Sequence, residues 1–347
     1  MKRGILIFVA VMMCLCVGFA SAGCSPSKET LNLFNWGMYI DESLLTEFEE
    51  QTGIRVVMSV FTSNEEMYAK IKAGASNYDV LIPSDYMIQR MANEDMLAEL
   101  DKSKLPSFQY ILPEFADPSF DPGCKYSMPY MWGTFGIVYN TKEVSEPIDS
   151  WDVFWDPQYS GKMCIYDDIR DVFAIPLARR GYDINTTNQA ELDAAVDDLL
   201  TMPKIILGAD DIRDKMVSGE AIIAAEFAGD AMMMMEEDED LAFVIPKEGS
   251  NVWLDSMVIT KNSARKDAAH KFIDFMNQPE NAFRNQQEIG YSTPNSGAYE
   301  MYSDEEKADH VLNPTEEELA RCTFFNDLGS ATSMYSDAWD RYKGSIK

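Results

Sequence analysis

Aromatic and acidic side chains follow several predicted strands at the points where those strands end. Trp36 and Tyr39 lie at a strand-to-helix corner, and Trp253 and Asp255 are two residues apart, on one face of an extended segment. An ammonium over an aromatic ring gains up to ~2 kcal/mol, and a hydrogen bond to a carboxylate is about twice as strong when charge-assisted. The pattern predicts an amine-binding site, although each residue alone is also typical of a core or a helix cap.

Two more segments continue this pattern. Asp168 and Asp171 follow a predicted strand three residues apart, and Tyr291 lies on a predicted turn. Two carboxylates are also what a glycoside hydrolase requires, so a cleft hydrolase that uses Asp168 and Asp171 is an alternative, and a surface adhesin is another. Because the chain holds 58 acidic residues, pairs of acids arise readily. Amine binding is therefore the favoured interpretation.

Motifs of nucleotide-dependent enzymes do not occur in the sequence, which has neither GxxxxGK[ST] nor GxGxxG. The two histidines are His270, on a helix predicted to lie at the surface, and His310, in a polar loop. They form no zinc-binding cluster and no nucleophile–base pair. We therefore expect a protein without catalytic residues, bound metal or cofactor.

Length and composition indicate a globular protein with an acidic surface. The 347 residues correspond to about two domains. With 29 Lys and Arg against 58 Asp and Glu, the net charge of -29 disfavours nucleic acid and anionic lipid headgroups and favours a cation. The aromatic content of 12% exceeds that of a purely solvating acidic chain. An acidic composition also serves solubility, so charge alone does not establish a cation receptor.

The N-terminal residues have the pattern of a secretory signal. Basic residues precede an apolar run over residues 5–17, and small residues lead directly into Cys24. We predict a signal peptide over residues 1–23, lipid attachment at Cys24 and a tether over residues 24–30. An uncleaved anchor helix is the alternative.

Three cysteines remain after this segment, Cys124, Cys164 and Cys322, and none has CxxC spacing. Either one disulfide with one free thiol or three buried thiols is compatible with the sequence.

Apolar periodicity predicts an α/β protein. The first part of the chain alternates in the order βαβαβ, which indicates a parallel sheet covered by helices, with ligands bound beyond the carboxyl ends of the strands. The predicted strands are 31–36, 54–61, 79–83, 134–139, 162–166, 221–225 and 242–246. The predicted helices are 41–52, 64–73, 151–155, 171–180, 191–200, 211–218 and 266–277.

Nine stretches of the chain match one protein family. They are NWGMYI (35–40), FEEQTGIRV (48–56), SNEEMYAKI (63–71), YDVLIPSDYM (78–87), LDKSKLP (100–106), YSMPYMWGT (126–134), IPKEG (245–249), WLDSMVI (253–259) and IGYSTPN (289–295). In these stretches the sequence resembles the bacterial spermidine/putrescine-binding proteins of ABC importers.

The resemblance implies a two-lobed fold of the periplasmic-binding-protein type. Each lobe would be a mainly parallel sheet flanked by helices, with the polyamine in the cleft between lobes. The implied lobes are residues 31–134 plus 256–297 and residues 135–255 plus 298–347. The protein would capture polyamine in the periplasm or at the outer face of the cytoplasmic membrane, lipid-anchored, and deliver it to a permease and its ATPase on other chains.

The resemblance also implies which residues bind the ligand. The positions that match the family's cleft are Trp36, Tyr39, Ser84, Tyr86, Asp168, Trp253, Asp255 and Tyr291. Asp171 stands where spermidine binders usually have Glu, and Phe227 stands where a Trp packs on the ligand chain.

Three further positions bear on ligand length. Asp230 matches an acid of the putrescine binders, while Met38 replaces an acid and Phe325 lies near a Gln of the spermidine binders. We therefore expect putrescine to bind at least as well as spermidine.

Overall fold

The computed structural model describes residues 29–74, 77–209 and 211–346. The predicted signal peptide, Cys24 and most of the predicted tether lie outside these residues. Among the residues described, no helix combines the length and the apolar character needed to span a bilayer.

The chain begins with the predicted alternation of strands and helices. The elements are β1 (Thr30–Trp36), α1 (Glu42–Thr52), β2 (Arg55–Phe61), α2 (Asn64–Lys72), β3 (Val80–Leu81) and α3 (Asp85–Asn93). Strand β1 pairs in parallel with β2 on one side and β3 on the other. Helix α1 begins after Asp41, whose side chain accepts the Ser43 N–H, and ends at Gly53, where φ is 74°. The parallel arrangement aligns the carboxyl ends of these strands along one edge.

Two long strands connect the halves of the molecule. Strand β4 (Ser127–Asn140) pairs through its first half with β9 (Ser250–Ile259), antiparallel. Its second half pairs with β7 (Ile223–Phe227) and β8 (Leu241–Val244). Strand β9 in turn pairs with β3. A single continuous strand is therefore hydrogen-bonded into the sheets on both sides.

The second half repeats the α/β arrangement. Its remaining elements are β5 (Met163–Tyr166), α4 (Ile169–Arg179), α5 (Gln189–Leu199), β6 (Ile205–Gly208), α6 (Asp211–Val217) and α7 (Ala228–Glu237). Strand β5 is parallel to both β6 and β7, and the overall order is β2-β1-β3-β9-β4-β7-β5-β6. The sheet is thus parallel in its outer parts and antiparallel around β4 and β9, so the predicted α/β class is confirmed.

The remaining helices, one short strand and several 3-10 turns complete the chain. The later ones are α8 (Lys266–Met276), α9 (Pro279–Ile289), α10 (Ser296–Tyr299), α11 (Asp304–Ala308), α12 (Glu316–Leu319), β10 (Cys322–Thr323) and α13 (Thr332–Ser345). The 3-10 turns are Lys102–Lys104, Pro106–Tyr110, Pro113–Phe115, Trp151–Trp155, Pro157–Tyr159 and Gly329–Ala331.

Buried side chains form two large cores that divide along β4. Trp132 belongs to the core that contains β1 and α8, whereas Phe135 belongs to the core that contains α4 and α13. A smaller cluster around Phe243 and Met234 lies beneath α7. The exact residue bounds of the two lobes, 31–134 plus 256–297 and 135–255 plus 298–347, stay a prediction.

The prediction that His270 lies at the surface is wrong. It lies on the inward face of α8 with only 4% of its surface exposed. Its Nε2 accepts the Asp101 N–H at 2.9 Å, and its Nδ1 lies 2.6 Å from the Lys266 carbonyl oxygen. These two contacts require the neutral tautomer with the proton on Nδ1.

Of the two alternatives for the cysteines, the structure has unpaired thiols at Cys124, Cys164 and Cys322, of which Cys322 is only partly buried. Burial raises the pKa of the Cys124 and Cys164 thiols to about 12 and that of Cys322 to about 11. All three are therefore protonated and unreactive at neutral pH.

Candidate functional site

Strand β9 presents one face to side chains from both halves of the molecule. Asn251, Trp253 and Asp255 alternate along the strand, so their side chains share that face. All three are buried, and among the residues described Asn251 Oδ1, Trp253 Nε1 and Asp255 Oδ1 have no hydrogen-bond partner. A Cβ at Gly133 would lie 2.7 Å from Trp253 Cζ2, so only glycine leaves room for this indole.

A row of aromatic rings lies beside this face. Tyr39 contacts Tyr291 with ring centroids 5.7 Å apart, Tyr291 contacts Trp253 at 5.0 Å, and Trp253 contacts Phe227 at 6.1 Å. All three contacts are edge-to-face, with interplanar angles of 72°, 79° and 89°. Such pairs contribute ~0.5–1.5 kcal/mol beyond area burial. The row forms a continuous apolar wall.

Ser84 and Tyr86 flank the start of α3 and contact residues of α2. Ser84 Oγ accepts from Asn64 Nδ2 at 3.0 Å, and the Ser84 N–H donates to Asn64 Oδ1 at 3.2 Å. Ser84 does not cap α3 with its side chain, so its hydroxyl proton is available to a neighbour. The Tyr86 hydroxyl donates to Glu65 Oε1 at 3.0 Å.

Asp168 and Asp171 lie at the start of α4. Asp168 Oδ1 accepts the Arg170 N–H at 2.7 Å and the Asp171 N–H at 3.4 Å, which makes Asp168 the N-cap of the helix. Asp171 is 4% exposed, and no described residue bonds to its Oδ1, although a hydrogen bond from the Asn251 side chain to its carboxyl lowers its pKa. The cap explains part of the role of Asp168, whereas Asp171 has no such explanation.

Arg170 provides the nearby positive charge, but its two Nη atoms are engaged elsewhere, and its buried Nε has no hydrogen-bond partner among the described residues. Its Nη1 donates to the Asn326 carbonyl oxygen at 3.1 Å and its Nη2 to Asn185 Oδ1 at 2.8 Å. The guanidinium lies 4.3 Å from the Phe325 ring centroid and 5.7 Å from that of Tyr86. Phe325 thus holds Arg170 by a cation–π contact.

We call Asp85, Asp168, Asp171 and Asp255 the acidic end of the cleft. Burial raises the pKa of all four carboxyls, and that of Asp255 reaches about 7 although the nearby Ser84 and Tyr39 hydroxyls lower it. Burial raises the pKa of Asp85 and Asp171 strongly, with mutual repulsion adding to it. Ion pairs to these four carboxylates do not occur within the described ranges. The acidic end therefore holds carboxyls whose ionisation is opposed by burial and is not helped by an ion pair.

We call Asp230 and Tyr291 the tyrosine end. The Tyr291 hydroxyl donates to Asp230 Oδ2, so this carboxylate already has a partner. The Tyr291 ring packs directly against Gly229 at the start of α7. A Cβ at Gly229 would lie only 2.3 Å from Tyr291 Cδ1, so this close packing requires glycine. Burial and the Asp230 charge raise the pKa of Tyr291, which keeps its hydroxyl protonated.

Most of the residues predicted from sequence lie in the ring row, the acidic end or the tyrosine end. Trp36 lies to one side: its Nε1 donates to the Ile82 carbonyl oxygen at 2.9 Å and its ring contacts Phe61 at 4.5 Å. Met38 has a φ of 50° and is 92% exposed, so it points into solvent.

Sequence reasoning missed three residues of the site. Asn251 is two residues before Trp253, and this period-two spacing indicates that both side chains lie on the same face of the strand. Asp85 follows Ser84 directly at a predicted strand end, which was also a usable signal. Glu65 approaches Tyr86 and Asp168 only through tertiary packing, and burial raises its pKa with repulsion from Asp168. No local pattern identifies Glu65.

Groups of three or more His, Cys, Asp or Glu arranged to hold a metal ion are absent from the described part of the chain. The carboxylates of the acidic end come from α3, from the start of α4 and from β9. They suit a ligand whose charges are distributed along its length.

Comparison with known proteins identifies the family. Residues 43–315 match the family model for bacterial extracellular solute-binding protein. The chain is 35% identical over 327 residues to the spermidine/putrescine-binding periplasmic protein of Escherichia coli (strain K12), covering 93% of this chain and 94% of that protein.

Two solved structures share the whole architecture. A putative spermidine/putrescine ABC transporter protein from Listeria monocytogenes superposes with a TM-score of 0.86 at 43% identity, covering 91% of this chain and 99% of that one. The Tp0655 (TpPotD) lipoprotein of Treponema pallidum superposes with a TM-score of 0.82 at 30% identity, covering 90% and 99%. These similarities confirm the predicted two-lobed fold.

Proposed function

The chain belongs to the bacterial extracellular solute-binding proteins, and on that premise we propose that it is an extracytoplasmic receptor for polyamines, putrescine or spermidine, of an ABC importer. The observation that carries the proposal is a set of buried carboxyls with unpartnered oxygens beside a continuous row of aromatic rings. The names of the similar proteins from Escherichia coli and Listeria monocytogenes support the ligand class.

A polyamine matches this arrangement in both of its parts. Its methylene chain is apolar and would lie along the ring row, and its ammonium groups would contact the dispersed carboxylates. Exclusion of water strengthens each of these charged contacts because the local dielectric falls. The proposed ligand-binding residues are Trp36, Tyr39, Ser84, Tyr86, Asp168, Asp171, Phe227, Asp230, Trp253, Asp255 and Tyr291.

Binding would close the two lobes on the ligand. Tyr39 and Trp253 of the ring row belong to the core that contains β1, whereas Phe227 packs against both large cores. The site is therefore complete only when the lobes meet. Small-angle X-ray scattering with and without spermidine tests this step. We expect the radius of gyration to decrease, and an unchanged value contradicts a large hinge motion.

The proposed location is the outer face of the cytoplasmic membrane, through lipid on Cys24. The Ser-Ala-Gly-Cys segment supports this, as does the lipoprotein from Treponema pallidum among the similar structures. Incorporation of labelled fatty acid into the full chain tests the assignment. Loss of label in Cys24→Ser is expected, and retained label contradicts it.

The receptor would release its ligand unchanged to the permease and ATPase. A hydrolase would use Asp168 and Asp171 as its two acids. The helix-capping hydrogen bonds already occupy one carboxylate oxygen of Asp168. A turnover assay that follows polyamine and model glycosides by mass spectrometry tests this. Appearance of a cleaved product contradicts the receptor assignment.

Isothermal titration calorimetry with putrescine, spermidine and spermine tests the central proposal. We expect saturable one-to-one binding of at least one polyamine. Sodium chloride at matched ionic strength is the control for screening, and glucose is the control for a neutral solute. Absence of binding by all three polyamines overturns the proposal.

A further inference from the structure

Asp85 begins α3 and is among the most deeply buried acids of the protein, with 1% of its surface exposed. Its Oδ1 accepts the Tyr86 N–H at 2.6 Å, while its Oδ2 has no hydrogen-bond partner among the described residues. A buried carboxylate oxygen without a partner costs free energy. Its position at a helix N-terminus is favourable for a negative charge but leaves this oxygen unsatisfied.

Two other buried acids of the described residues, Asp121 and Asp79, are satisfied by hydrogen bonds. Asp121, 2% exposed, accepts from the backbone N–H groups of Lys125, Tyr126 and Ser127. Asp79, also 2% exposed, has hydrogen bonds from several neighbours and an ion pair to an arginine. These acids hold loops and strands together. Asp85 differs from them because its Oδ2 has no hydrogen-bond partner among the described residues, and backbone hydrogen bonds from Tyr86 and Leu254 lower its pKa less than burial raises it.

The surroundings of Asp85 are acidic on two sides. The Asp255 charge on β9 raises its pKa further, and the Asp85 charge in turn raises the pKa of Asp171 on α4. Arg170, also on α4, opposes this repulsion, but its Nη atoms donate to Asn326 and Asn185. The Ser256 N–H of β9 donates to the Pro83 carbonyl oxygen at 3.1 Å, which places the start of α3 beside Asp255. One carboxylate oxygen of each of the three acids has no partner among the described residues, at Asp85 Oδ2, Asp171 Oδ1 and Asp255 Oδ1.

We propose that Asp85 binds an ammonium group of the ligand together with Asp171 and Asp255, and that it selects polyamines with two ammonium groups three carbons apart. The inference rests on the proposed polyamine-receptor function. A diamine such as putrescine brings one ammonium to this end, which leaves buried charge uncompensated. The aminopropyl group of spermidine brings two. The inference runs against the putrescine preference expected from Asp230.

The test is Asp85→Asn, which keeps the shape of the side chain and removes its charge. Calorimetry at pH 7.5 and fixed ionic strength would compare spermidine with putrescine, and thermal unfolding would follow the unliganded protein. We expect spermidine affinity to fall at least tenfold and putrescine affinity less than threefold, while the unliganded melting temperature rises because a carboxyl whose ionisation is opposed by burial and by Asp255 is replaced by a neutral amide.

The matched control is Glu42→Gln, which removes an acid from the same first helical position of α1 at an exposed site. It is expected to leave both affinities unchanged. Equal losses for the two ligands in Asp85→Asn, unchanged spermidine affinity, or a lower melting temperature with unchanged binding each overturn the inference. If the wild-type protein binds neither amine, the proposed function itself has failed, so the two failures are distinguishable.

Discussion

The two ends of the cleft differ in how their carboxylates are satisfied. At the tyrosine end, Asp230 accepts the Tyr291 hydroxyl, so an ammonium there exchanges with an existing hydrogen bond. At the acidic end, Asp85, Asp171 and Asp255 each have an unpartnered oxygen, so an ammonium would relieve an unfavourable state. The acidic end is therefore expected to supply most of the binding free energy, and the tyrosine end to adjust which ligand fits.

Asp255→Asn tests the acidic end most strongly. Removing one partner of a buried charged pair typically costs ~3–5 kcal/mol, which is about two to four decades in affinity. Calorimetry with spermidine measures the loss, and circular dichroism checks the fold. A change below threefold in a folded variant contradicts the role of Asp255 as an ammonium partner.

Gly229→Ala tests the tyrosine end by moving its ring. The added methyl would meet Tyr291 at 2.3 Å, and such overpacking costs ~1–3 kcal/mol of stability. Gly344→Ala is the control, because no atom lies within 4 Å of its Cβ and α13 is expected to gain up to ~1 kcal/mol. Urea denaturation measures both variants. Equal stability of the two variants would show that the ring moves without cost.

The pH dependence tests the acidic end because the pKa of Asp255 lies near neutrality. The pKa of Asp255, about 7, lies above its unfolded value, so the folded state binds more protons between about pH 4 and 7. The stability of the unliganded protein should fall as pH rises through that window. Affinity should rise about tenfold from pH 6 to 8, because the ionised carboxylate binds ammonium. Asp255→Asn should flatten both curves, and a pH-independent affinity contradicts this account.

Asp230→Ser is expected to have the smallest effect, on selectivity. The variant loses an acid that favours a short diamine, so the ratio of spermidine to putrescine affinity should rise by about fivefold, or ~1 kcal/mol. Competition of each amine against a labelled polyamine measures the ratio. An unaltered ratio means that the tyrosine end does not adjust ligand choice.

Much of the fold follows from short stretches of sequence. Apolar periodicity located β1, β2 and the helices between them, and Ser63 and Asp41 stand where the structure has N-caps. These features depend on residues within one or two helical turns, where spacing alone decides which side chains share a face. The prediction that His270 is exposed was wrong because burial depends on which segment packs against α8, here the one that contains Asp101.

Some features of the candidate site follow from the sequence, and others depend on the tertiary structure. The sequence by itself determined the residue types, the strand-end positions and the shared face of Trp253 and Asp255. Only the tertiary structure decided that Asp230 is already bonded to Tyr291 and that Asp85 lies unpartnered beside Asp255. Those residues come from separate elements, and whether a buried charge finds a partner depends on packing between them, which no local pattern encodes.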